Sequence, residues 1–290
     1  MQSGSSTYGV VPFENSTNGS VVYTLDLFAD RQLQYPDVLV CGELFLNVHH
    51  HLLGYPSGLP QDDNSMSGDS TPTSKIPSPS KPKTHPITSL RHVKRIYSHP
   101  QAFGQCEAFL TTYLRGVERQ EVSSTSKAAE IVSQDTTRST AAISSKVAAQ
   151  VHGLGTLAKG IEDRDDNTTR FFVLCRGPDG LLPPDSEQPK TGRNEDPWKT
   201  LVAFTINHQS PGALADALMV FKTNDLNLTS INSRPSRISP WHYIFFVEFE
   251  GKKEVSGVGK VSEALEQLKA TTEGCRWHGS WRNRMNCLIG

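Results

Sequence analysis

The segment 14–20 concentrates hydrogen-bonding side chains on one short stretch. Six of its seven residues carry a carboxylate, an amide or a hydroxyl, and Gly19 permits a turn at positive φ. If the strand around 10–11 ends here and a helix begins near Gly19 to Val22, backbone N–H groups also point at this turn. A helix start of this kind attracts anions and predicts a site for a small anionic molecule. Taken alone, the segment favours the alternative, an ordinary strand-to-helix turn with a hydroxyl cap.

Two later segments could contribute to the same chemistry. Thr169 and Arg170 precede an apolar strand. An arginine can grip a carboxylate through two hydrogen bonds, and a threonine hydroxyl can donate to a departing oxygen. The alternative is an edge strand whose arginine forms a surface ion pair. Ser98 and His99 stand just before a helix, although a helix cap followed by Pro100 in the first turn explains that pair better.

The run of histidines at 49–51 invites a metal site. Successive residues of a strand face opposite sides, so at most His49 and His51 could share an ion. No acidic or cysteine pattern completes a coordination sphere, and we predict no metal. The chain also shows no phosphate-binding loop, no dinucleotide-binding glycine motif and no G-x-S-x-G elbow.

The composition limits the classes of function. The 290 residues carry a formal net charge of −1, which gives no reason to expect nucleic acid or an anionic membrane as a partner. No apolar run approaches the roughly 18–20 residues that span a bilayer, and we expect no secretory signal. The five cysteines are odd in number and form no C-x-x-C pair, which favours reduced thiols in the cytoplasm.

Two stretches interrupt the regular patterns. Residues 55–89 are rich in proline, serine and charge and predict a disordered insertion inside a domain. Residues 176–198 have the composition of a linker between domains. Elsewhere in the first half, the patterns predict one or two strands over 38–54, helices over 99–116, 123–134 and 140–155, and a strand over 169–175. This alternation predicts an α/β layer with a mainly parallel sheet, whose ligands bind at strand ends.

The second half follows the order strand, helix, strand, strand, helix. These elements are predicted at 200–206, 211–224, 228–235, 241–251 and 261–273, and residues 281–290 offer weak material for a last strand. This order is that of a ferredoxin-like βαββαβ unit.

Taken in this order, the segments resemble prephenate dehydratase of a fungal type, with a C-terminal ACT regulatory domain. The matching stretches are VVPFENSTNGSV, TLDLF, HHHLLG, SHPQAFGQC, SSTSKAAEIV, TAAI, NTTRFFVL, SPGALADAL, LTSINSRPS and YIFFVEFEG. The resemblance implies an α/β, periplasmic-binding-protein-like (type II) catalytic domain at 1–175, a linker at 176–198 and a ferredoxin-like ACT domain at 199–290. The family normally has a strand and a helix before VVPFENS, so we expect a catalytic domain that is incomplete at its N-terminus.

The resemblance implies that prephenate loses carbon dioxide and water to give phenylpyruvate, on the path to phenylalanine. No cofactor is implied, because aromatisation drives the reaction. Thr169 would assist departure of the ring hydroxyl, and Asn15 and Ser16 would hold a carboxylate or orient Thr169. Arg170 would anchor the site or pair with Glu14. The implied substrate-binding residues are Glu14, Ser98, His99, Ser124 and Thr125.

The resemblance also implies inhibition by L-phenylalanine and a homodimer or homotetramer. The implied effector residues are Gly212, Ala213, Leu214, Asn227, Leu228, Ser233 and Arg234, often joined across a dimer interface. Asn232 stands where many relatives carry Glu, so the strength of inhibition is left open. The competing hypotheses are a non-catalytic amino-acid sensor, a periplasmic-type solute-binding module and an arogenate dehydratase.

Overall fold

The computed structural model describes residues 1, 4–57, 81–177, 197–254 and 256–284. The chain forms two compact units, one from residues 1–46 and 168–290 and one from residues 47–167. Most of the predicted insertion at 55–89 and of the predicted linker at 176–198 lies outside the described residues. Among the described residues, no helix combines the length and the apolar character needed to cross a bilayer.

The helices and strands follow one another along the chain in a mixed α/β order. They are β1 (Gly9–Asn15), β2 (Gly19–Ser20), α1 (Val22–Phe28), β3 (Val38–Asn47), β4 (His51–Gly54), β5 (Arg95–Ser98), α2 (Pro100–Gly104), α3 (Glu107–Tyr113), β6 (Glu118–Glu121), α4 (Thr125–Ser133), β7 (Thr140–Ser144), α5 (Lys146–His152), β8 (Gly155–Ala158), β9 (Thr168–Arg176), β10 (Trp198–Thr205), α6 (Ala213–Thr223), β11 (Leu228–Pro235), β12 (Tyr243–Glu250), α7 (Lys260–Thr271) and β13 (Gly274–Arg282).

The first sheet of the first unit has the order β2-β1-β9-β3. Strands β1 and β9 are antiparallel, with Asn15 opposite Thr169 and Glu14 opposite Arg170. Phe13 on β1 and Phe172 on β9 stack with their ring centroids 3.9 Å apart. Such a buried aromatic pair fixes the register of the two strands, because a shift by one residue would turn it out of the core.

The second sheet of this unit is ferredoxin-like, with the order β11-β12-β10-β13 and antiparallel pairing throughout. One face packs on α6 and α7, and the other packs on the first sheet and α1. The predicted βαββαβ order is confirmed. The last strand lies at Gly274–Arg282 rather than at 281–290, so the buried Trp281 stands near the end of β13 and not at its beginning.

His278 is the extra residue of a bulge in β13, between Trp277 opposite Val202 and Gly279 opposite Leu201. Its ring is 1% exposed and lies between Phe28 and Phe246. Among the described residues, neither ring nitrogen has a hydrogen-bond partner. Burial therefore lowers the pKa of His278 to about 3, with a smaller contribution from Arg276.

The lowered pKa of His278 predicts a specific acid sensitivity of the fold. The pKa in the folded state, about 3, lies below that of an unfolded histidine. The contribution of the neutral His278 to folding stability is therefore complete above the unfolded-state pKa of about 6.5. It is lost as the pH falls toward the pKa of the folded state. We expect the free energy of unfolding to fall by about 1.4 kcal/mol per pH unit from this group alone.

Urea unfolding of the wild type and His278→Phe between pH 7 and pH 4.5 measures this effect. The phenylalanine keeps the aromatic packing and removes the titration, so the wild type should lose stability relative to the variant as the pH falls. If the free energies of unfolding of the two proteins change equally with pH over this range, the lowered pKa of His278 is contradicted.

The sheet of the second unit has the order β6-β5-β7-β4-β8. Strand β5 runs parallel to β6 and β7, whereas β4 runs antiparallel to β7 and β8. The prediction of a mainly parallel sheet is therefore wrong. This sheet is mixed, and in the first sheet β1 pairs antiparallel with both β2 and β9. Alternation of strands and helices predicts parallel pairing only where each helix connects neighbouring strands, and β4 is instead inserted between β7 and β8.

Two predicted helices have different structures. The helix predicted over 99–116 is divided into α2 and α3, because Asp163 accepts hydrogen bonds from the backbone N–H groups of Glu107 and Ala108 and starts a new helix there. The helix predicted over 140–155 is strand β7 followed by α5, which Ser145 caps. The helix predicted over 123–134 is confirmed as α4.

Candidate active site

The polar segment 14–20 forms a tight β-hairpin between β1 and β2. The side-chain oxygen of Asn15 accepts hydrogen bonds from the backbone N–H groups of Thr17 and Asn18, both at 3.0 Å. Gly19 then adopts a φ of +78°, which lets the chain return along β1. The N–H groups of this turn are therefore directed at Asn15, and α1 begins only at Val22. The predicted helix start near Gly19 to Val22 is thus confirmed at Val22, whereas an anion site at this turn stays a prediction, which the two hydrogen bonds to Asn15 disfavour.

The amide nitrogen of Asn15 makes the contact that matters for chemistry. Nδ2 donates to Oγ1 of Thr169 at 3.0 Å, across the β1–β9 pair. Beside it, the backbone N–H of Thr168 donates to Oγ of Ser16 at 2.9 Å, and the backbone N–H of Ser16 donates to the carbonyl of Thr168 at 2.9 Å. The predicted meeting of the N-terminal turn and the threonine-arginine strand is confirmed.

This geometry holds the Thr169 hydroxyl oxygen and leaves its hydrogen available. A hydroxyl has one hydrogen to donate, and here its oxygen already accepts from Asn15. Within the described part of the chain, no group accepts the hydrogen of Thr169. The side chain is partly exposed. The hydroxyl can therefore donate to a bound molecule while Asn15 holds its oxygen in place.

Arg170 lies on the opposite face of β9 from Thr169, because successive residues of a strand alternate. Its side chain is buried, and Nη2 lies 2.6 Å from Oε2 of Glu43 and 2.8 Å from Oε2 of Glu248. Glu14, its predicted partner, is 3.9 Å away. The predicted pairing with Glu14 is therefore present as a long ion pair, whereas the prediction that Arg170 grips a substrate beside Thr169 is wrong, because its side chain is buried on the other face of β9. Arg170 instead contacts Glu43 and Glu248 on the buried face of β9.

Arg170 and three other charged side chains form a cluster in which each residue is 7% exposed or less. We call it the charge cluster, and its members are Glu43, Arg170, Lys199 and Glu248. Burial pushes the pKa of Glu248 up, but the charges of Arg170 and Lys199 outweigh burial and hold it below its ordinary value. Neither glutamate is among the residues predicted from the sequence. A Glu flanked by apolar residues, as in the segments FFVEF and CGELF, was the available signal.

The predicted substrate residues of the second unit have local structural roles there. Ser98 is buried and its hydroxyl donates to the carbonyl of Ile143 at 2.9 Å. Nδ1 of His99 accepts from the N–H of Gln101, which makes His99 a helix cap as the alternative predicted. Ser124 caps α4, and Thr125 is its first residue. A role of these residues in binding substrate remains a prediction.

The histidines at 49–51 have protein partners. His49 Nδ1 lies 3.1 Å from a carboxylate oxygen of Glu162, and His50 Nε2 lies 2.7 Å from the side-chain oxygen of Gln105. His51 Nδ1 accepts from the backbone N–H of Gly160. Within the described ranges, no group of three or more His, Cys, Asp or Glu side chains is placed to hold a metal ion.

The predicted effector residues fall into two sets at opposite ends of α6. Gly212 caps the start of this helix with a φ of +85°, and Ala213 and Leu214 are its first residues. Asn227 and Leu228 follow its end, and an 11-residue helix is about 16 Å long. Strand β11 returns to the first end, where Ser233 and Arg234 lie. One chain therefore does not bring all seven residues together.

Strand β11 contacts α1 and the polar turn through side chains. Arg234 makes a two-pronged ion pair with Asp26 at 2.9 and 3.0 Å, and Ser20 donates to the side-chain oxygen of Asn232 at 2.7 Å. The hydrogen bond from Arg234 and a second one from Arg31 lower the pKa of Asp26 to about 2, against the opposing effect of burial. The predicted effector strand and the turn that carries Asn15 thus belong to one bonded network.

Comparisons with known proteins agree with this architecture. The family model described as prephenate dehydratase matches residues 1–179. A bifunctional chorismate mutase/prephenate dehydratase of Aquifex aeolicus is 35% identical over 274 residues, which cover 94% of this chain and 60% of that protein. The chain thus spans about three fifths of the length of that relative. A prephenate dehydratase of Methanocaldococcus jannaschii is 33% identical over 264 residues, covering 91% of this chain and 77% of that protein.

A solved structure is similar over nearly the whole chain. The prephenate dehydratase of Arthrobacter aurescens, in complex with L-Phe, has a TM-score of 0.73 and 26% identity and covers 97% of this chain and 77% of that one. The predicted fold class is a type II periplasmic-binding-protein-like α/β fold followed by a ferredoxin-like domain. The similarity to this solved structure and the sheet topology confirm it. Because the family model matches more than half of the sequence and the Methanocaldococcus relative is 33% identical over more than three quarters of its own length, the chain belongs to the prephenate dehydratase family.

Proposed function

We propose that this chain converts prephenate to phenylpyruvate, a decarboxylating dehydration in L-phenylalanine biosynthesis. Membership of the family supports the reaction, and the 3.0 Å contact between Asn15 Nδ2 and Thr169 Oγ1 supports the site. Residues 1–175 form the catalytic domain, residues 176–198 the linker and residues 199–290 the ACT domain. Asn15, Ser16 and Thr169 act at the substrate.

The reaction breaks two bonds of the substrate and forms none with the protein. The electrons of the C–C bond to the ring carboxylate enter the ring as carbon dioxide leaves. The ring hydroxyl departs with the electrons of its C–O bond and takes a proton from solvent to become water. Negative charge develops on that oxygen, so a donor placed there stabilises the transition state more than the substrate.

Thr169 is the donor that this geometry provides. A threonine hydroxyl is too weak an acid to transfer its proton fully, so it contributes a hydrogen bond that strengthens as charge develops. Asn15 keeps the oxygen of Thr169 fixed and leaves its hydrogen free for the substrate, which avoids reorientation during the reaction. Ser16 holds the backbone of Thr168 in register.

Incubation of the chain with prephenate, with phenylpyruvate followed by its ultraviolet absorbance, tests this function. Phenylpyruvate should accumulate without an added cofactor or metal. Arogenate in a parallel reaction tests the sibling substrate, because its dehydration yields phenylalanine directly. A folded chain that binds L-phenylalanine and turns over neither compound would instead be a non-catalytic sensor.

The ferredoxin-like domain is an ACT domain that binds L-phenylalanine as an inhibitor. The similar Arthrobacter protein was solved in complex with L-Phe, which supports this assignment. The backbone at 212–214 and the side chains of Ser233 and Arg234 lie at one end of the domain, and Asn227 and Leu228 lie at the other. The two sets can meet only across two copies, so the assembly is a homodimer or homotetramer. The four described cysteines are free thiols, as a protein of the reducing cytoplasm requires.

Calorimetry with L-phenylalanine should show binding that Gly212→Val abolishes. The φ of +85° at Gly212 is strained for valine, although a Cβ would meet nothing within 4 Å, so the loop must change its path. Gly257→Val is the control, because Gly257 has a φ of +74° and equally open surroundings outside the predicted site. Absence of heat from the folded wild type, or equal loss in both variants, would contradict the proposal.

A further inference from the structure

The charge cluster joins the strand of Thr169 to the ferredoxin-like domain. Glu43 comes from β3 and Arg170 from β9, whereas Lys199 comes from β10 and Glu248 from β12. The surrounding contact between the two sheets is apolar and includes Phe13, Phe172 and Trp281 among other side chains. Two negative and two positive charges therefore sit within an apolar interface, and their sum is zero.

The contacts leave Arg170 little freedom. Its Nε donates to Oε2 of Glu43 at 2.8 Å, and its Nη2 lies between Glu43 and Glu248. The guanidinium carbon lies 4.9 Å from the ring centroid of Phe172. On the far side, Oε1 of Glu248 is 3.1 Å from Nζ of Lys199 and accepts from the hydroxyl of Thr229 at 2.9 Å.

Stability alone does not explain this cluster. Removing charges from water costs free energy, and apolar residues of similar size often replace a buried ionic group without loss of stability. Orientation is a better-supported use for buried ionic groups, since they have preferred geometries that apolar contacts lack. The residue that this cluster orients is Arg170, whose peptide bond is shared with Thr169.

We infer that Glu248 of the ferredoxin-like domain is a positioning residue for Thr169. Glu248 and Glu43 fix Arg170 from behind β9, and the fixed backbone at 169–170 holds the Thr169 hydroxyl at Asn15. The active strand thus depends on a side chain of the domain that is proposed to bind the effector. Thr229, on the effector strand β11, is one hydrogen bond from Glu248 and two contacts from Arg170.

This inference rests on the proposed function where it concerns turnover. Glu248→Gln keeps the shape and the acceptor oxygen but removes the charge that holds Arg170. We expect kcat for prephenate to fall about tenfold or more with KM changed less than about twofold, since misplacement of a group that acts in the transition state lowers kcat. Glu250→Gln, two residues along the same strand and partly exposed, is the matched control and should leave both constants unchanged.

A second variant separates positioning from charge balance. Glu248→Gln alone leaves two cations against Glu43, whereas Glu248→Gln combined with Lys199→Met restores neutrality. The double variant should therefore recover the unfolding midpoint that the single variant loses, while kcat stays at the low value of the single variant. Recovery of kcat together with stability would overturn the inference, because Glu248 would then matter only for charge balance.

Amide hydrogen exchange gives a readout that does not depend on turnover. In the double variant, residues 168–174 and 10–15 should exchange faster than in the wild type at equal global stability. Unchanged protection of these strands would overturn the inference even if prephenate is turned over. If the wild type turns over no prephenate but the strands lose protection as expected, the proposed function fails while the positioning role of Glu248 stands.

Discussion

Thr169→Val is expected to lower kcat for prephenate by about 10²–10³-fold while the protein stays folded, the usual effect of removing one donor from a developing oxyanion. Valine has the shape of threonine, and the side chain is partly exposed, so packing changes little. What is lost is the single hydrogen that the hydroxyl can give to the departing oxygen. Steady-state kinetics with prephenate, together with circular dichroism of each variant, measures the effect.

Thr169→Ser and Thr169→Ala bracket this prediction. Serine keeps the hydroxyl and should retain activity within about tenfold of the wild type, because the hydrogen bond from Asn15 can still form. Alanine should be as slow as valine. If valine or alanine retains near-normal turnover, Thr169 does not assist the departure of the hydroxyl. If serine is as slow as alanine, the hydroxyl is not the part of Thr169 that matters.

Gly279→Ala should destabilise the protein by about 3 kcal/mol or more, or prevent folding. Gly279 has a φ of +126°, which residues with a side chain rarely adopt. A Cβ there would overlap the backbone carbonyl oxygen of Val40 and lie 2.9 Å from its backbone nitrogen. Neither atom can move aside without displacing β3, since Val40 is fully buried within the contact between the two sheets.

Gly274→Ala is the matched control for this prediction. It lies on the same strand, its φ is ordinary, and a Cβ there would meet only the side-chain hydroxyl of Thr205 at 3.1 Å. Denaturant unfolding should place Gly274→Ala within about 1 kcal/mol of the wild type. If Gly279→Ala is equally mild, β13 and β3 do not approach as closely as the structure shows.

The sequence predicted the parts of the site that depend on local pattern. Asn15 and Thr169 were placed together because the quoted segments stand in the order of a known family and both lie at strand ends. The bounds of β11 were predicted to the residue, at 228–235, where Asn227 precedes the strand and Pro235 ends it. The bounds of β11 need no knowledge of distant contacts, whereas the contact of Asn15 with Thr169, 154 positions along the chain, was predicted from the family resemblance and not from local pattern.

The errors arose where distant residues decide the local structure. The segment TAAIS of β7 has small apolar residues on both faces, so its spacing does not distinguish a buried strand from a helix. The break between α2 and α3 is made by Asp163, more than 50 residues away. Arg170 was assigned to the substrate because its partners, Glu43 and Glu248, are 127 and 78 positions away along the sequence.

The central claim is that Asn15 and Thr169 act as one unit, and a double-variant cycle tests it most directly. Asn15→Asp keeps the oxygen that holds the turn but removes the donor to Thr169. Its added charge acts in both backgrounds and cancels in the comparison. We predict that Asn15→Asp lowers kcat by about 10²-fold in the wild type but by less than about threefold when Thr169 is already alanine. Equal losses in the two backgrounds would show that the two residues act independently and would contradict the account.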